Sequence, residues 1–155
     1  MGIIANDDVK KELSSPKEQT QIIEETIKLI EQSTLTDNKP LFLSFIGDDS
    51  DGYCLRISGG FINKRYITGK YEAQVNFLLV YRKMSVTSNE DRLDSINKIN
   101  EIGDYLGGLS EINLDSYIIN KIVQNEMPKP TYRDDTGIED VGATFTLDYT
   151  KKTYF

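Results

Sequence analysis

The chain has 155 residues, a net charge of −7 and a pI near 4.7, with 38% hydrophobic and 28% charged residues, the composition of one ordinary globular domain. It contains no histidine and a single cysteine, which excludes Ser-His-Asp and Cys-His catalysis, histidine metal ligation and an internal disulfide, and fits folding in a reducing compartment. The acidic balance repels a phosphate backbone, and no apolar run approaches the ~20 residues of a membrane span, so neither nucleic-acid specificity nor membrane association is expected.

The start "MGIIANDDVKKELSSPK" has no basic stretch followed by an apolar core, so it does not read as a secretory signal, and Asn6 stands where a myristoylation motif after Gly2 wants Ser or Thr. Residues 1–14 are polar and without period, an expected flexible arm, and 15–155 form the expected single domain. In "SSPKEQTQIIEETIKLIEQS", Ser15 can cap a helix, Pro16 sits where its missing N–H costs nothing, and Glu18 completes a capping box. Ile23, Ile27 and Ile30, widened by Ile22 and Leu29, give the apolar stripe of a helix over about 16–33.

After "TDNKP" the period becomes strand-like. "LFLSFI" at 41–46 and "YCLRIS" at 53–58 flank "GDDSDG", and the economical expectation is a hairpin joined by that acidic stretch. "GGFINKRYITG" reads as a loop between glycines. "YEAQVNFLLVYRKM" is a long strand with Tyr71, Ala73, Val75, Phe77, Leu79 and Tyr81 on one face and Glu72, Gln74, Asn76 and Arg82 on the other. A second helix is expected from near Ser88, with Leu93, Ile96, Ile99, Ile102 and Leu106 as its stripe and Gly107 and Gly108 as its stop. "DSYIINKIVQNEMPKP" favours a strand by its β-branched content, and "VGATFTLDYTKK" alternates clearly. The expected fold is α+β: a mainly antiparallel sheet of about four to five strands with two main helices packed on one face.

Several stretches invite a chemical reading. If Gly52 were the sixth position of a calcium loop, Gly47 would fall at the first ligand and Ser58 at the twelfth, so Asp48, Asp49 and Asp51 read as an acidic turn. "TGKY" lacks the glycine spacing and the Ser or Thr of a phosphate-binding loop, because Lys64 and Tyr71 occupy those places. "NKRYITGK" gathers Lys64, Arg65, Lys70 and Tyr66, too few cations for a nucleic-acid footprint. "RDDTGIED" adds Asp134, Asp135, Glu139 and Asp140 in turn-like sequence. Cys54 has no histidine partner and reads as a packing residue.

One combination of features points to a family. A capped N-terminal helix is followed by a hairpin ending in "LRISGGF", then by "YEAQVNFLLVYRKM" running into "NEDRLDSINKINEIGDYL", and finally by "MPKPTYRDDTGIEDVGATFTLDYT". Over about residues 16–150 this resembles the minor capsid or tail terminator proteins of long-tailed bacteriophages and related phage-tail-like particles. In that family a long strand leads directly into a helix, and a proline-bearing loop with an acidic turn precedes the last strand. The resemblance implies a structural virion subunit, not an enzyme and without a cofactor, assembled in the bacterial host cytoplasm. Such a subunit forms a ring, of hexameric type, that caps the completed tail tube, halts its polymerisation and meets head-tail connector proteins, with a sheath-related protein as a further neighbour in a contractile tail.

The contact surfaces expected on that reading are the acidic turn of Asp48, Asp49 and Asp51, the loop residues Lys64, Arg65, Tyr66 and Lys70, the strand residues Glu72, Gln74, Asn76 and Arg82, and Tyr132, Arg133, Asp134 and Asp135. Two alternatives stand beside it: another ring-forming joining or tail tube component, and a small metal-dependent hydrolase using Asp49, Asp51, Asp134 or Asp135 with a divalent cation.

Overall fold

A computed structural model describes residues 12–46 and 50–152. Ser15 opens the first helix as the sequence predicts: its hydroxyl accepts the Glu18 amide at 3.1 Å, and α1 runs Pro16–Gln32. The expected capping box is not closed on its other side, because the Glu18 carboxylate turns into the sheet and is taken up by tyrosine hydroxyls. Ahead of the helix, Glu12–Leu13 form β1, so the last part of the expected arm pairs with the sheet; residues 1–11 lie outside the described residues.

The chain continues through β2 (Leu41–Leu43), β3 (Gly52–Arg65), β4 (Tyr71–Lys83), α2 (Asn89–Gly107), β5 (Ile112–Asn113), β6 (Tyr117–Gln124), β7 (Lys129–Arg133) and β8 (Glu139–Lys151). These strands form one sheet in the order β1-β3-β4-β8-β6-β5, with β2 added on β3 and β7 on β8. Among the described residues eight strands replace the four to five expected. β1, β5 and β7 are two to five residues long, too short to show a period of two, and exist because a longer neighbour offers them a row of backbone partners. β6 and β7 lie end to end along one side of β8.

The expected hairpin is also corrected. β2 runs parallel to β3, with Leu41, Phe42 and Leu43 opposite Tyr53, Cys54 and Leu55, whereas the other pairings in the sheet are antiparallel. Ser44 takes a φ of 77°, and the chain leaves the sheet there. The hairpin is instead β3–β4, closed at Tyr66–Lys70 by Tyr66 N–H donating to Lys70 O at 2.9 Å and by Gly69 at φ 93°. The 59–65 stretch expected as a loop is therefore the second half of β3. Register shifts at Ile57/Gly59 and Ile62/Lys64 interrupt the alternation, which hid this half from a period-two reading.

Both helices do pack on one face. Ile22, Ile23 and Ile30 of α1 and Ile99, Ile102 and Leu106 of α2 join Tyr53, Leu55, Val75, Phe77, Leu79, Phe145, Leu147 and Tyr149 in one buried cluster. Phe77 and Phe145 stack at its centre, 5.2 Å between rings. Leu93, expected in the α2 stripe, is 56% exposed, while Ser95 and Gly103 are buried. Gly103 faces β6: a Cβ there would fall 1.9 Å from Gln124 Oε1, so a side chain at 103 would have to displace the Gln124 amide. Among the described residues no helix is long and apolar enough to cross a membrane.

Candidate functional site

The helices leave the reverse face of the sheet uncovered, and the alternation along β4 places Glu72, Gln74, Asn76, Leu78, Val80 and Arg82 on it. Antiparallel register extends four of them into rows: Lys64, Glu72 and Thr150; Phe61, Gln74 and Asp148; Asn76, Thr146 and Val123; Arg82 and Asp140, with Tyr132 beyond. The half of this face nearest the β3–β4 turn is polar and open. Asn63 donates to Gln74 Oε1 (3.3 Å), Gln74 to Asn76 Oδ1 (3.3 Å), Thr146 to the same Asn76 oxygen (2.9 Å), and Asn125 to Thr146 Oγ1 (3.0 Å). Asn120 donates to Thr150 Oγ1 at 2.9 Å, and Lys121 pairs with Asp148 at 3.7 Å. Asn63, Gln74, Asn120, Lys121, Asp148 and Thr150, with Lys64 and Glu72, line a shallow depression of about 630 Å³.

The other half is closed. Arg82 forms a two-point pair with Asp140 (2.7 and 3.0 Å), its side chain 13% and that of Asp140 3% exposed, and the Tyr132 ring lies 5.4 Å from its guanidinium carbon. Arg82, expected as a contact residue, is thus held inside the fold. Beside it Ile46, Cys54 and Val80 form a second small core with Leu78 against it. Burial pushes the Cys54 thiol pKa up and keeps it protonated, the packing role expected from the sequence.

The basic turn is ordered by its own aromatic ring. The Lys64 and Lys70 ammonium groups stand 5.0 and 5.1 Å from the Tyr66 ring centre, and the Tyr66 hydroxyl donates to Glu72 at 2.6 Å, which raises the Tyr66 pKa. Arg65 binds both oxygens of Glu12 at 2.6 Å and lies over the Tyr71 ring. Lys64, Tyr66, Lys70, Glu72, Gln74 and Asn76 therefore belong to one surface, while Arg65, opposite Tyr71 in register and paired with Glu12, lies on the other face.

The acidic candidates are engaged in holding turns. Asp51 accepts the Met84 amide (2.8 Å) and the Tyr81 hydroxyl (3.4 Å) at the end of β4; Asp48 and Asp49 lie outside the described residues. Asp134 accepts the Thr136 hydroxyl (2.7 Å), the Thr136 amide (2.9 Å) and the Ile138 amide (3.1 Å), bonds that hold its carboxyl below the usual range, and Asp135 is exposed beside it. Arg133, 73% exposed, reaches to 3.9 Å from Glu139, which is paired mainly with Arg92. Among the described residues no three His, Cys, Asp or Glu side chains group to hold a metal ion.

One constellation had no signal in the sequence beyond the capping motif. Glu18, 6% exposed, receives the Tyr71 and Tyr149 hydroxyls at 2.5 Å each and Tyr117 at 3.4 Å, with the Lys151 ammonium 3.9 Å away. Burial first, and the bond to Glu18 second, push the Tyr71 and Tyr149 hydroxyls well above the ordinary tyrosine range, so they remain donors. The three tyrosines come from β4, β6 and β8, and their carboxylate partner locks the start of α1 to the end of the sheet. A comparison with protein-family models and with curated proteins found no match to this chain.

Proposed function

We propose that the chain is a structural subunit of a phage tail or phage-tail-like particle: a tail terminator that forms a ring, caps the tail tube, stops its polymerisation and offers the surface that meets the head. The observation that carries this reading is the division of the sheet. Both helices cover one face, while the open half of the other presents polar side chains whose positions are preset by bonds to one another, a surface suited to contact with proteins. The element order on which the family resemblance rests supports it as well: β4 passes into α2 within a few residues, and a proline-bearing strand with an acidic turn leads into β8. A ring suits the role because a head-to-tail interface that returns on itself stops growth, whereas an open one extends.

The test mixes the purified chain with purified tail tubes and follows mass by light scattering and particles by electron microscopy. One ring at a tube end, with tube length held constant, is expected. A chain that stays monomeric with tubes and leaves their length unchanged overturns the reading, and a chain repeated along the tube assigns it to the tube instead.

A further inference from the structure

Among the described residues, four other than glycine take left-handed backbone: Thr34 (φ 61°), Asp37 (53°), Asn38 (63°) and Ser44 (77°). All lie in the connection that carries β2, and Asp37, Asn38 and Ser44 flank the strand closely on its two sides. Asp and Asn tolerate this region, whereas Ser44 meets steric resistance at its Cβ. All three side chains are exposed, so no packing compensates them.

The strand between them is lightly held. β2 is three residues long, pairs parallel to β3, and buries none of its side chains fully. Tyr53 N–H donates to Pro40 O at 2.9 Å and Ser44 N–H to Leu55 O at 2.8 Å, while Arg56 Nε donates to Ser44 O at 3.2 Å. The one ion pair printed on the segment, Lys98–Asp37 at 3.7 Å, has a carboxylate that is mostly exposed. Beneath it Tyr53, opposite Leu41 in register, is fully buried with its hydroxyl unpaired among the described residues. Thr36 before the segment and Ile46 after it are buried and anchor its ends.

We propose that residues 37–44 form a strained strap that lifts β2 from the edge of β3 while β3, β4 and β8 stay paired. Strain at both ends and the unpaired hydroxyl beneath act against closure; two half-buried leucines and a few backbone bonds act for it. Opening bares the backbone groups of Tyr53 and Leu55 that β2 occupies, a free length of strand edge. The device does not depend on the ring reading.

Native-state amide exchange of the full chain is the test. The Tyr53 and Ser44 amides, bonded across β2 and β3, are expected to show protection about a hundredfold below that of Phe77 and Leu79 in β4. Ser44→Gly relieves the backbone and is expected to raise Tyr53 protection about fivefold, whereas Ser44→Val lowers it about tenfold. Phe42→Cys sets a thiol opposite the native Cys54 in register; oxidised with glutathione disulfide, it is expected to bring Tyr53 close to Leu79, an effect reversed by reduction. Wild-type Tyr53 and Ser44 protection equal to that of Phe77 and Leu79 overturns the strap. Weak protection that neither Ser44→Gly nor Ser44→Val changes overturns strain as its cause.

Discussion

The two faces of the sheet share their central strands, β3, β4 and β8, yet they are built on opposite principles. On the helix-covered face, side chains meet through shape: Phe77 on Phe145, Tyr53 beside Tyr81, isoleucines of both helices above them. On the reverse face they meet through hydrogen bonds and charge, first as an open network around Gln74 and Asn76, then as the closed Arg82–Asp140 pair. The first kind of packing depends on volume and tolerates no loss of it; the second depends on partners, so its cost follows how deeply each group is buried. A residue's face is thus a poor guide to its role unless its burial is added.

The largest expected effects put that contrast to a direct test. Phe77→Ala opens a cavity on the covered face and is expected to lose ~3–5 kcal/mol. Arg82→Ala, on the reverse face, leaves the Asp140 carboxylate buried without its partner, a loss of the same order, ~3–5 kcal/mol. Urea unfolding at neutral pH measures both; an Arg82→Ala chain as stable as wild type would show the closed half to be as permissive as the open half. Glu18→Ala comes next. It strands the Tyr71 and Tyr149 hydroxyls between helix and sheet and is expected to cost ~1–3 kcal/mol, with faster amide exchange in the first turns of α1 as its local signature.

The acid limb of stability sharpens the comparison further. Arg92 holds Glu139 below its ordinary value of 4.5. A carboxylate with a depressed folded-state pKa contributes stability that is full above its unfolded value and is lost as pH falls through the folded one. Stability is therefore expected to hold from neutral pH to about 5 and to fall below about 4.5, with a shallower acid limb in Glu139→Gln. The smallest effect belongs to the open network: Gln74→Ala and Asn76→Ala are expected to change stability by no more than ~0.5 kcal/mol each, since water replaces the lost bonds. On the proposed function the same two changes weaken assembly, which light scattering with tail tubes reads separately from the unfolding curve.

Where local chemistry decides, the sequence was readable. Ser15 and Ser88 each cap a helix, and the alternation of β4 and β8 assigns their faces residue by residue. Where a partner decides, it was not. β1, β5 and β7 are strands only because a longer strand lies beside them, and β3 hides half its length behind two bulges. Leu93 sits at the right helical spacing but is exposed, while Gly103, with no side chain at all, is buried against Gln124. The surface candidates divide the same way. Glu72, Gln74 and Asn76 are where the period places them, but the depth of Arg82 depends on Asp140 and Tyr132, 58 and 50 residues away in the chain.

The sequence by itself determined the two helices, the strands β4 and β8 with their inward and outward residues, and the exclusion of histidine chemistry, because these follow from capping, period and composition within a short window. Only the tertiary structure decided that the described residues form a sheet of eight strands, that β2 lies parallel to β3, and that Glu18 is buried among tyrosines from three strands. Each of these joins residues far apart in the chain, and the backbone pairing that brings them together leaves no periodic trace in either partner alone.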